Sequence, residues 1–272
     1  MELLDPTLVA ELLILGLVVG FVAGLLGVGG GMMMVPVLTL LLTQRGVPGG
    51  LAVKMAIATS MSTIIFTSLS SVRAHQALGN VRWPVVRSVA PGIVAGSLLA
   101  GAGAFALLKG QALALGFALF IGYMALQMLR GAAPRPEREL PGRWVLAAVG
   151  GAIGFLSALV GAGGAFLSVP FMTWCNVPPR HAVGTSSALG FPIALASTAG
   201  YVVSGWGQPA ALPGAVGYLY LPALVLVSAA SASLAPVGAG AAQRLPVATL
   251  KRLFALLMLG LAATMLWRAF GA

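Results

Sequence analysis

Charge is scarce in this chain. Only 7% of its 272 residues are charged, and just five of those are Asp or Glu. Glu2, Asp5, Glu137 and Glu139 lie outside the apolar runs, and Glu11 sits a few residues into the first of them, within reach of an interface. A cation pump or a carboxylate proton relay needs ionisable groups facing the interior of a helix bundle, so an anionic substrate suits the chain better. Cysteine is scarcer still: Cys175 is the single one, which excludes an intrachain disulfide and a cysteine metal cluster. HExxH, GxSxG and Walker A motifs are absent, and so are paired carboxylates in the apolar runs. The GTSS stretch at Gly184 offers a serine protease Ser186 as nucleophile but no base at suitable spacing. The expectation is therefore no enzyme, no cofactor and no metal.

Hydrophobic residues make up 59% of the chain. Apolar runs of about 20 residues, each able to cross a ~30 Å hydrocarbon core, recur from end to end. The fold class is an all-α polytopic membrane protein. Long spans are expected at 8–26, 52–72, 84–108, 111–130, 144–160, 182–204, 214–237 and 247–268, with shorter legs at 32–43 and 165–175. The first span has acidic rather than basic flanks and no small-residue cleavage site after it, so it is expected to stay in the mature protein. A net charge of +10 would suggest nucleic acid in a soluble protein, but here Lys and Arg sit at span ends and in short loops. They read as topology signals, with no nucleic-acid partner expected and the lipid bilayer as the surroundings. All five tryptophans also fall at span ends, where an amphipathic ring favours the headgroup region.

The chain repeats itself. GLLGVGGGMMMVP, residues 24–36, returns as FLSALVGAGGAFLSVP, residues 155–170, with Gly27 on Gly161 and Val35-Pro36 on Val169-Pro170. AIATS at 56–60 is answered by AVGTS at 182–186. Two copies of one pattern imply a duplicated architecture. The expected units are a first repeat, 1–130, a cytoplasmic linker, 131–143, rich in Pro and charge, and a second repeat, 144–272.

Two paths are open to residues 8–43: a single broken helix, or a hairpin that turns back at the glycines. The hairpin, repeated at Gly161, puts eleven basic residues on one side (Arg73, Arg82, Arg87, Arg130, Arg135, Arg138, Arg143, Arg180, Arg244, Lys251 and Arg252) and leaves Arg45, Lys54, Lys109 and Arg268 on the other. The broken helix divides them about evenly. The positive-inside rule selects the hairpin, with both termini non-cytoplasmic. Each half then crosses an odd number of times, so the halves are inverted repeats, each a Gly-rich helical hairpin plus three helices. Whether the short legs cross fully is left open.

A non-helical break at membrane depth is tolerated where protein or a water-filled cavity satisfies its backbone. Helix N-termini that follow such breaks offer free N–H groups and a positive dipole end to an anion. The candidate substrate-binding residues are therefore Gly27, Gly29, Gly30 and Gly31 with Thr59 and Ser60, and Gly161, Gly163 and Gly164 with Thr185 and Ser186. Hydroxyls bind an oxyanion without the ~2.5–3.5 kcal/mol insertion cost of a buried charge, although Ser and Thr also bond their own helices. Gly16, Gly20 and Gly24 at four-residue spacing read as a helix-packing face. Arg180 and His181 stand near the expected cytoplasmic mouth.

These residues carry a resemblance. GLLGVGGGMMMVPVL with AIATSMSTIIFTSLSSVRAHQALGNVRW, and GFLSALVGAGGAFLSVPFM with VPPRHAVGTSSALGFP, resemble the sulfite exporter TauE/SafE family of anion permeases over essentially the whole chain. Ala58 stands where the second copy has Gly184, so the half-sites need not be equal. The resemblance implies a secondary transporter that moves sulfite, an organosulfonate or a related sulfur-containing anion across the bacterial inner membrane. An anion channel with the same selectivity elements is the alternative. The small-residue faces could also hold two subunits together as a homodimer. Direction, coupling ion and the particular anion are not written in the sequence.

Overall fold

Ten helices and one short hairpin make up the computed structural model, which describes residues 5–26, 30–130, 138–241 and 247–270. The helices are α1 (Pro6–Leu26), α2 (Gly31–Gln44), α3 (Gly49–Ala77), α4 (Trp83–Leu107, with a π-helical stretch at Leu99–Ala104) and α5 (Gly110–Arg130). After the linker come α6 (Arg143–Val160), α7 (Ala165–Trp174), α8 (Pro179–Gly205), strands β1 (Ala215–Val216) and β2 (Leu219–Tyr220), α9 (Leu221–Ala241) and α10 (Val247–Phe270). Seven of them, α1, α3, α4, α5, α6, α8 and α9, are long and apolar enough to cross a membrane. The chain is a multi-pass membrane protein.

Glycine marks where several of these helices begin or end. The expected span at 214–237 begins late, because Gly214 (φ +82°) and Gly217 (φ +56°) bend the chain into an antiparallel hairpin in which Ala215 pairs with Tyr220. Only from Leu221 does the helix run. The short legs are shorter than any bilayer span, 14 residues in α2 and 10 in α7.

Both short legs turn back. The Arg45 guanidinium at the end of α2 lies 3.7 Å from the Asp5 carboxylate at the start of α1. Hydrogen bonds from the Thr7 hydroxyl and amide, helped by Arg45, hold that carboxyl below its ordinary pKa. At the second hairpin the amide of Arg138, just before α6, donates to the Trp174 carbonyl at the end of α7 (3.4 Å). The Arg138 guanidinium lies 4.8 Å over the Trp174 ring. Each hairpin thus returns to the end from which it started.

Glycine decides which helices touch. A Cβ on Gly20 or Gly24 would fall on the backbone of Ser231 or Ala235, so α1 and α9 meet backbone to backbone. Gly92 and Gly96 on α4 meet Ala147 and Gly151 on α6 in the same way. Partner numbers rise together in both pairs, so both pairs run parallel. Interfaces of small residues suit a membrane, where apolar burial alone does not favour helix over lipid and close van der Waals contact must do so. Between them α3 and α8 cross antiparallel: Ser71 reaches Ser187 (3.3 Å) and Ser62 reaches Thr198 (3.1 Å). These two helices form the centre, with 67% and 56% of their apolar windows buried against 39–50% in the other spans.

Candidate functional site

The two hairpin tips meet at this centre. Gly30 (φ +73°) caps the start of α2, Gly161 (φ +69°) ends α6, and Gly164 (φ +77°) caps the start of α7, all in the left-handed region that glycine enters without strain. Neither α2 nor α7 has a side-chain N-cap, so their first N–H groups depend on other partners. Side chains are excluded by geometry as well. A Cβ on Gly31 would fall on the Gly161 carbonyl, and one on Gly161 would lie 2.9 Å from Val35 Cγ2.

Hydroxyls surround the tips. Ser60 Oγ donates to the Gly31 carbonyl (3.3 Å), and the Ser168 and Ser186 hydroxyls are 2.7 Å apart. Beside them lies a cavity of about 10 Å³, bounded by Gly163, Gly190 and the hydroxyls of Thr67, Ser68, Ser71, Ser186 and Ser187. Among the described residues no charged side chain lines it. Its volume is close to the minimum for one water, below what a sulfur oxyanion requires. His75 stands one turn beyond Ser71; its Nε2 lies 3.3 Å from the Gly24 carbonyl, and since a carbonyl only accepts, Nε2 carries the hydrogen.

Of the residues expected from the sequence, Gly30, Gly31, Ser60, Gly161, Gly163, Gly164 and Ser186 converge here. Gly27 and Gly29 lie outside the described residues. Thr59 and Thr185 do something else. Thr185 Oγ1 accepts from the backbone N–H of Arg82 (3.0 Å), in the loop between α3 and α4. Thr59 Oγ1 accepts from the N–H of Tyr220 (3.0 Å), in the β1–β2 hairpin. Each threonine therefore ties down a loop from the other half. Sequence reasoning did not single out Thr67, Ser68, Ser71 and Ser168. Their signal was present: Thr63, Thr67 and Ser71 follow Ser60 at helical spacing, so one hydroxyl stripe runs down α3.

A family model described as Sulfite exporter TauE/SafE matches residues 12–265. The chain belongs to the TauE/SafE family. A probable membrane transporter protein of Haemophilus influenzae is 34% identical over 260 residues, covering 95% of this chain and 98% of its own. Relatives with the same description occur in Bacillus subtilis, 31% identical over 79% of this chain and 82% of theirs, and in Methanocaldococcus jannaschii, 27% identical over 80% of each. No solved structure matches. The TauE/SafE family and these relatives are membrane transporters rather than enzymes. The hairpin tips thus belong to a membrane transporter.

Proposed function

We propose that the protein is a secondary transporter that moves a small sulfur-containing anion, such as sulfite or an organosulfonate, across the bacterial inner membrane. The observation that supports this reading is the meeting point of the two tips, lined by glycine backbone and the Ser60, Ser168, Ser186 and Ser187 hydroxyls, groups that would stand in for an anion's hydration shell. Hydrogen-bond donors without a fixed cation hold an oxyanion and still release it, a balance that conduction requires. The family description supplies the sulfur chemistry.

Two inverted halves, 1–130 and 144–272 around the linker at 131–143, give the movement. Exchange of the halves maps the parallel pair α1/α9 onto α6/α4 and leaves the antiparallel pair α3/α8 unchanged, as a two-fold axis in the membrane plane requires. The positive-inside rule supports a cytoplasmic end at Arg82 and Arg180, with both termini outside. Rocking of one half against the other then opens the small cavity to each side in turn.

Counterflow tests the reading. Labelled sulfite uptake into proteoliposomes should rise when unlabelled sulfite is trapped inside, because a carrier exchanges. Conductance without such stimulation would make the protein a channel, and a chemically altered product would make it an enzyme.

A further inference from the structure

We propose that Arg180 and Lys54 are a matched pair of anion-collecting cations, one at each mouth of the transport path. On this proposal the cavity beside Arg180 is a vestibule that takes an oxyanion, sulfite or a sulfonate, before it reaches the central hydroxyls. The proposal rests on the transporter reading and goes beyond it, since neither residue belongs to the central site.

A cavity of about 610 Å³ opens where the α3–α4 loop faces the start of α8, lined by Asn80, Pro178, Arg180 and His181 among others. It is large enough for a hydrated oxyanion. Arg180 is exposed, and among the described residues the one ion pair is Arg45 with Asp5, so the Arg180 guanidinium has no carboxylate partner there. A guanidinium fork matches the paired oxygens of a sulfite or sulfonate. His181 Nδ1 is buried without a hydrogen-bond partner among the described residues, and Asn80 adds an amide.

The floor of the vestibule is the loop that Thr185 holds. The Asn80 carbonyl packs over Gly184, where an added Cβ would lie 2.6 Å from it, and the Arg82 N–H is bonded to Thr185. Ser186, on the wall of the central cavity, is the next residue. Six residues of helix separate it from Arg180, about 9 Å of rise. One loop therefore stands between the two compartments.

Lys54 is the counterpart. It precedes Thr59 by five residues, as Arg180 precedes Thr185. Its surroundings differ. The Lys54 ammonium lies 3.3 Å from the Ala106 carbonyl, 5.6 Å from the Phe105 ring centre and 5.4 Å from that of Tyr218. Tyr218 belongs to the same hairpin whose Tyr220 N–H is bonded to Thr59. Movement of that hairpin would release Lys54 from its aromatic contact and Thr59 from its bond together. The described state is thus open to a vestibule at Arg180 and shut at Lys54, and the opposite state would exchange the two roles.

Two measurements decide the proposal. Asn80→Cys in a Cys175→Ala background is labelled with anionic and cationic methanethiosulfonates of similar size. The ratio of anionic to cationic rate should fall about tenfold in Arg180→Gln and be kept in Arg180→Lys, since a one-signed cleft concentrates its counter-ion by about that factor or more. An unchanged ratio overturns the vestibule, whether or not the protein carries sulfite. Sulfite kinetics are then measured from each side of oriented vesicles. Arg180→Gln should raise KM several-fold from its own side with kcat unchanged, and Lys54→Gln should do so only from the other side. Equal effects on both sides, or none, overturn the pairing. Wild-type vesicles that carry no sulfite would defeat the transporter reading instead, with the labelling ratio still deciding the vestibule.

Discussion

Glycine performs two separate jobs in this chain, and they differ in what substitution costs. Gly116 in α5 has open space where a side chain would go, whereas at Gly31 a Cβ would fall on the Gly161 carbonyl of the opposite tip. An alanine at Gly116 gains helix propensity, up to about 1 kcal/mol. At Gly31 it forces the tips apart, an overpacking cost of about 1–3 kcal/mol. Thermal unfolding in detergent should therefore show Tm unchanged or raised for Gly116→Ala and lowered by several degrees for Gly31→Ala, with sulfite exchange lost in the latter alone. A Gly31→Ala protein as stable and active as wild type would mean that the tips are not in contact.

Among the elements, the loops are held more weakly than the helices. The contact of α1 with α9 is close, backbone on backbone, while the α3–α4 loop is bound to α8 through the Arg82–Thr185 hydrogen bond and the seat of Asn80 over Gly184. Such a bond contributes about 0.5–1.5 kcal/mol net, small enough to break during each cycle. Removal of the acceptor in Thr185→Val should raise amide hydrogen exchange at 78–82 several-fold and leave α1 and α9 protected, and Thr185→Ser should restore the slow rate. Uniform exchange across the three proteins would show that the bond does not hold the loop.

Much at this scale was legible in the sequence. Helix positions follow from apolar runs, although the runs suggest eight long spans where seven helices among the described residues are long and apolar enough to cross a membrane, and the turns follow from GVGGG and GAGG, which no helix continues cheaply. The hairpins follow from the distribution of Lys and Arg. Less legible was the division of labour between neighbouring hydroxyls. Thr185 and Ser186 are adjacent, but a helix turns each residue by 100°, so one meets the Arg82 amide and the other the central cavity. Which of the two faces inward depends on the partner helix, and no local pattern encodes that. The hairpin at 215–220 was hidden for a similar reason: its residues are as apolar as a span, and only Gly214 and Gly217 interrupt them.

For the whole molecule, the central cavity of about 10 Å³ is too small for a sulfur oxyanion, so the proposed transport requires the helices around it to move apart. The bonds at Thr59 and Thr185 each tie one of the two central helices to a loop, Thr59 to the β1–β2 hairpin and Thr185 to the α3–α4 loop. Opening at both ends together would make a leak; opening in turn makes a carrier. On the proposed reading, hydroxyls at the centre bind the anion and cations at the mouths deliver it.

The most direct test of that account is sulfite counterflow in proteoliposomes containing Ser168→Ala/Ser186→Ala. These two side chains share a 2.7 Å hydrogen bond, and Ser186 lines the cavity. Alanine at both leaves no unpaired partner from that bond, which keeps the effect on folding small. The account predicts a monodisperse, folded protein whose exchange rate falls at least about tenfold, the equivalent of one lost anion contact of about 1.4 kcal/mol. Exchange at the wild-type rate and KM would contradict it and move the substrate site away from the hairpin tips.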